Sequence, residues 1–196
     1  MNKGRPREFS IPDALDKATP IFWQKGYRGT SLDDLTEAMD INRPSLYAAF
    51  GDKENLFLQV VDRYRERYIF PPVKKLLEAK DLRKGLTEFF SSMADVLVQN
   101  QTPAGCVIAC LLSDECGESE SIRNKLADSI GRSDAAFYRL FDQHQKQLRK
   151  SLDAASAGRI MTSLMQGMAT RARAGANKRA LLQIGESFIK LMVRDN

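Results

Sequence analysis

The chain has 196 residues, 43% of them hydrophobic, and a formal net charge of +5, which is enough apolar material for a buried core in one or two compact domains. No run of about eighteen apolar residues occurs and the polar start MNKGRPREFS does not read as a signal peptide, so a cytoplasmic protein without a membrane segment is expected. The three cysteines are an odd number, which argues against a secreted disulfide framework, and residues 1–70 carry as many acids as bases, so the excess positive charge is no nucleic-acid signal by itself.

Apolar residues recur at helical spacing throughout, with no strand alternation and no long repeat, so the chain reads as all-α with about nine helices. Ser10 is expected to cap a first helix with the stripe Ile11, Leu15, Ala18 and Phe22, ending at Gly26; Pro20 inside it should kink or weaken its last turn. The stretch TSLDDLTEAMDINRPSLYAAFGDKENL, residues 30–56, then packs two short helices, a tight turn and a helix restart into fewer than thirty residues. Ser31 begins the first with Asp34 three positions on, as in a capping box, and Asp33 and Asp34 lie near the positive helix end. Leu32, Leu35 and Met39 form its apolar stripe. Asn42 can cap the second helix, whose first turn tolerates Pro44 because an N–H there has no intrahelical partner. Arg43, Ser45 and Tyr47 should face outward while Leu46 and Phe50 point back.

This is the pattern of a helix-turn-helix over residues 31–50. Segment 41–51 holds one cation and no acid, so its start can approach a polyanion. In such a motif the second helix enters the major groove with its N-terminal residues at base edges. Arg43 is the expected base reader, by a bidentate contact to guanine, and Asn42 can serve adenine if its side chain is not committed to capping. Thr30, Ser31, Tyr47 and Lys53 suit phosphate, Pro44 restricts how the helix docks, and the arm Lys3, Arg5, Arg7 can reach neighbouring phosphates or a minor groove.

The segment FWQKGYRGTSLDDLTEAMDINRPSLYAAFGDKENLF resembles the N-terminal domain of the TetR family of bacterial transcriptional regulators, over about residues 10–64. A GY-x-x-TS turn, an SLY-x-x-F recognition helix and a following DKE-x-L occur together. The resemblance implies a three-helix DNA-binding domain, a larger helical ligand-binding and dimerisation domain, and repression of a palindromic operator relieved by a small-molecule effector. Pro44 departs from the small residue common there. The expected division is residues 1–51 for DNA binding, 52–70 for a connecting helix and 71–196 for effector binding and dimerisation.

The connecting helix carries Leu56, Val60, Tyr64 and Tyr68 on one face, and Pro71-Pro72 should stop it. Helices follow at about 73–80, 82–100, 103–115 and 119–150, the last with a break around Gly131 to Asp134. A final pair spans about 153–173 and 178–194, separated by Gly175 and capped by Asn177. Its faces, Ile160, Leu164, Met168 and Leu181, Ile184, Phe188, Leu191, are where the family resemblance implies homodimerisation; closing a monomeric core is the blander alternative.

Cys106 and Cys110 should share one helix face, with Cys116 in the loop beyond. Three readings compete: small buried hydrophobes, a thiol or redox sensor centred on Cys106 near a helix start, and a thiolate metal site completed by His144. Packing is preferred; no metal or cofactor is expected. Phe89, Phe90, Phe137, Tyr138 and Phe141 can line an apolar cavity, although a stripe at helical spacing is core by default; His144, on an apolar stripe with Phe141 and Leu148, reads first as a hydrogen-bonded core residue and second as a cavity candidate. An enzyme is not expected, because a single histidine on an apolar face has no orienting partner at an interpretable spacing and no phosphate-binding glycine loop is present.

Overall fold

The computed structural model describes residues 9–99, 103–117 and 119–194, and divides into two compact units, up to Tyr64 and from Arg65 onward. The basic arm Lys3, Arg5, Arg7 lies outside the described residues. Apart from an isolated antiparallel bridge between Leu148 and Val193, the described residues are helices and their connections, so the all-α expectation holds.

The first unit holds α1 (Ile11–Gly29), α2 (Leu32–Met39), α3 (Arg43–Phe50) and α4 (Lys53–Tyr64). Ser10 caps α1 by accepting from the Asp13 amide. The helix runs on through Pro20 and breaks instead at Gly26, where φ is 73° and ψ 173°, a conformation glycine adopts without a Cβ clash. Phe22, Trp23, Leu35, Leu46, Phe50, Phe57 and Tyr64 are buried together, and the Trp23 and Tyr64 rings meet edge-on at 5.1 Å. Arg63 of α4 forks onto Asp16 of α1 with two bonds of 2.8 Å. That pair fixes α4 against α1, and α3 is seated on the same core through Leu46 and Phe50.

The second unit begins with a π-helical turn, Arg65–Ile69, followed by α5 (Phe70–Leu77). The expectation that Pro71-Pro72 ends a helix is corrected: the two prolines stand in the first turn of α5. Neither can donate a backbone hydrogen bond and their rings crowd the carbonyls one turn back, so the ladder widens to π spacing ahead of them rather than ceasing. Next come α6 (Leu82–Val98), a second π turn (Val107–Leu111), α7 (Leu112–Glu115), α8 (Glu120–Gln143), a 3₁₀ turn (Gln145–Gln147), α9 (Ala154–Arg173) and α10 (Lys178–Met192).

Two further expectations change. The helix predicted from 103 starts only at Val107, with Cys106 extended in front of it. The helix predicted over 119–150 ends at Gln143 and is unbroken through Gly131 to Asp134, because nothing crowds Gly131 and one glycine costs only about 1 kcal/mol in a long helix. The final pair lies where expected, with Asn177 capping α10. Gly185 lets α10 press onto α6, since a Cβ there would lie 2.6 Å from Phe90 Cγ.

Candidate nucleic-acid interface and cavity

In the first unit every turn of the motif has its own cap. The Ser31 hydroxyl accepts from the Asp34 amide at 3.1 Å and Asp34 accepts from the Ser31 amide at 2.8 Å, closing the predicted capping box. Lys25 bonds the same carboxylate, and Lys25 and the Ser31 groups together pull the Asp34 pKa down to about 2. Asp40 closes α2 in the left-handed region, φ 55°, a conformation aspartate tolerates better than most residues. Asn42 then caps α3 by accepting from Ser45 N at 2.8 Å, so its side-chain oxygen is committed and the adenine reading is left with the amide nitrogen alone.

The predicted contact residues separate into two groups. Arg43, Pro44 and Tyr47 are exposed along one edge of α3, with Ser45 half-buried beside them and Ser31 exposed at the start of α2. Thr30 is different: it is buried and its hydroxyl donates to the Gly26 carbonyl at 2.6 Å, so it braces the turn from within instead of presenting itself to phosphate. Lys53 lies with its ammonium 4.5 Å from the centre of the Tyr27 ring. The partner of Arg43 was not anticipated. Asp33 of α2 takes both Arg43 Nε, at 3.1 Å, and Nη2, at 2.7 Å, on one carboxylate oxygen, and this raises the guanidinium pKa further. The reach of an arginine from α3 back to α2, ten positions earlier, depends on the turn angle, which no spacing rule supplies.

The second unit holds a half-open cavity of about 590 Å³, within the range of about 300–1,000 Å³ that suits small-molecule ligands. Ile69 and Val73 come from the first π turn and α5, Phe89 from α6, Ile108 from the second π turn, Ile130 from α8 and Met165 from α9. Of the predicted residues, Cys106, Phe89 and Phe137 border it; Cys110, Cys116, Phe90, Tyr138 and Phe141 do not. Both π turns lie along its wall, in keeping with the frequency of such turns at functional sites.

His144 is not among the lining residues, which corrects its reading as a cavity candidate and favours that of a hydrogen-bonded residue. It sits at the C-terminal end of α8, where Nε2–H donates to the Ala79 carbonyl at 3.0 Å and Nδ1 accepts from Gln147 at 3.3 Å. Gln147 in turn accepts from the Leu82 amide at 2.9 Å, so the histidine belongs to a polar clasp that ends α8 against the turn before α6. It moved because α8 stops at Gln143, which takes position 144 off the helical stripe. Among the described residues no group of three or more His, Cys, Asp and Glu side chains is placed to hold a metal ion, and the three cysteines are thiols.

A capped, solvent-facing second helix seated on a three-helix core, with an arginine at its first turn, defines a helix-turn-helix DNA-binding protein. Comparison with known proteins supplies the family. A profile described as "Bacterial regulatory proteins, tetR family" matches residues 14–60, and one described as "Transcriptional regulator LmrA/YxaF-like, C-terminal domain" matches residues 83–187. The HTH-type transcriptional repressor ComR of Escherichia coli K12 is 33% identical over 193 residues, covering 97% of this chain and 92% of ComR. BdcR, a second HTH-type transcriptional repressor of that strain, is 29% identical over 88% of this chain and 83% of its own. Among solved structures, a cysteine mutant of the TetR family regulator CifR, complexed with 26 bp double-strand operator DNA, superposes with a TM-score of 0.85 at 30% identity, covering 95% of this chain and 98% of that one. The chain belongs to the TetR family and is a sequence-specific DNA-binding transcriptional regulator, not an enzyme.

Proposed function

We propose that the protein is a homodimeric repressor that holds a palindromic operator through two helix-turn-helix motifs and releases it when a small molecule fills the cavity of the second unit. In this scheme residues 1–51 read DNA, 52–70 connect, and 71–196 bind effector and dimerise. The observation that carries the reading is the edge of α3: Arg43, Pro44 and Tyr47 are exposed together, Ser45 lies half-buried beside them, and the helix has no acid of its own. Arg43 is the base reader; Ser31, Ser45, Tyr47 and Lys53 set the register on phosphate, with Arg5 and Arg7 adding contacts outside the motif. The repressor names of ComR and BdcR and the operator bound to CifR support repression and DNA binding by this route.

Dimerisation is assigned to α9 and α10. Met168, Leu181 and Phe188 are taken up by the unit's own core, whereas Ile160 stays 45% exposed and Leu191 70% exposed, with Leu164 and Ile184 half-covered. Those four residues form the pairing face, and two-fold pairing matches a two-fold operator. Release requires an effector that prefers the DNA-incompetent arrangement, since equal affinity for both states shifts nothing. No helix among the described residues is long and apolar enough to cross a membrane, and the protein acts in the cytoplasm on its DNA. Selection of random duplex DNA on the purified protein at two salt concentrations tests the reading: a palindromic site should emerge, and absence of any enriched sequence at either salt would refute it.

A second reading keeps the DNA-binding unit and makes Cys106 the sensor. It is favoured by one observation: Cys106 is buried against the cavity at the start of a π turn, where a thiol adduct would intrude on the space an effector would fill. Titration with a thiol reagent decides it. Loss of operator binding in step with modification of Cys106 supports sensing, and thiols that stay unreactive until denaturation end it.

A further inference from the structure

Most of the cavity wall is hydrocarbon, but its polar groups are unevenly signed. Three arginines, Arg65, Arg132 and Arg139, border it against one acid, Glu66. Arg132 is paired with Asp128 at 2.7 Å and Arg139 donates to the Ala135 carbonyl. Arg65 is half-buried and pairs with no acid among the described residues.

A second observation is independent of charge. Thr162 of α9 lines the cavity, is only 5% exposed, and its hydroxyl is buried without a hydrogen-bond partner among the described residues. Ser129 and Ser133, in the same wall, donate to the carbonyls of Lys125 and Ser129 one turn back, at 2.8 and 3.0 Å. Thr162 makes no such bond, and an unsatisfied buried hydroxyl is costly until an acceptor arrives.

We propose that the cavity takes an amphipathic anion: an alkyl or aromatic carboxylate whose hydrocarbon body fills the apolar space and whose oxygens accept from the Thr162 hydroxyl and the Arg65 guanidinium. The inference rests on the reading of this cavity as the effector site. A plain hydrocarbon or alcohol of the same length would leave Arg65 without a counter-charge in a half-desolvated position. A cationic amphiphile would bring its head group to Arg65, the half-buried arginine of the wall, which is the wrong sign.

The test uses the full chain and three probes of equal chain length, decanoate, decanol and decyltrimethylammonium, each below its micellar concentration. Calorimetric binding and operator release are read on wild type, Thr162→Val, Arg65→Gln and Ile108→Trp. Decanoate should bind about tenfold or more tighter than decanol, with decyltrimethylammonium weakest. Thr162→Val and Arg65→Gln should each erase most of that preference, and Ile108→Trp, which fills the cavity, should abolish binding of all three. If Ile108→Trp does not fold, Ala136→Leu narrows the same space. Equal or tighter binding of decanol or decyltrimethylammonium, or an unchanged preference in both head-group variants, overturns the anion while leaving the effector site standing, provided the bound probe still releases operator. Failure of every probe to bind overturns both.

Discussion

Replacing Asp33 by asparagine asks whether the unliganded recognition helix is held in check by its own neighbour. In the structure Arg43 places two nitrogens, at 3.1 and 2.7 Å, on a single oxygen of Asp33. To reach a guanine edge it must leave that carboxylate. The side chains are 56% and 75% exposed, so the pair is screened by water and competes weakly, by a factor of about two to five. Asp33→Asn should therefore tighten operator binding by about that factor, and Arg43→Ala should weaken specific binding by about five- to a hundredfold while relaxing base preference. The decisive quantity is the coupling between them. Fluorescence anisotropy with labelled operator, on wild type, both single variants and the double variant, should show the gain from Asp33→Asn shrinking once Arg43 is absent. An equal gain in both backgrounds would mean that Asp33 acts only as a distant negative charge, and the competition argument would be wrong. Urea midpoints of the same variants control for the loss of an acid from the first turn of α2.

The capping box gives a pH dependence. Lys25 and the Ser31 groups hold the Asp34 carboxyl down to about 2 in the folded chain, against an ordinary value of 3.8, so its contribution is present above 3.8 and is lost as pH falls through that window towards 2. Urea midpoints measured between about pH 5 and pH 2 should fall more for wild type than for Asp34→Asn; parallel curves would remove Asp34 from the account. Gly185→Ala should destabilise by about 1–3 kcal/mol, because its new Cβ meets the Phe90 ring, whereas Gly131→Ala meets nothing and should stabilise by about 0.5–1 kcal/mol in thermal melts. If α9 and α10 pair as proposed, Leu191→Glu with Ile160→Glu should sediment as a monomer and lower affinity for a full palindrome far more than for an isolated half-site; a variant that sediments as a dimer would move the interface elsewhere.

The sequence by itself determined what depends on neighbours a few positions apart. Ser10, Ser31, Asn42 and Asn177 announce the helices they cap, because the cap bond runs from a side chain to an amide three residues on. The burial of Leu35, Met39, Leu46 and Phe50 followed from helical spacing, and with it the orientation of the recognition helix. Periodicity does not register how a helix is wound, so the two π turns were missed, and with them the placement of Cys106 ahead of its helix rather than within it. The end of α8 at Gln143 was missed for a related reason: the apolar stripe continues to Leu148, but through a 3₁₀ turn and an extended residue that are buried for other contacts. Only the tertiary structure decided that Arg43 rests on Asp33, that Thr30 turns inward and that His144 ties a turn together. It alone brought Arg65, Cys106 and Thr162, nearly a hundred positions apart in the chain, to one cavity, since a cavity is the space left between packed helices and no single helix encodes it.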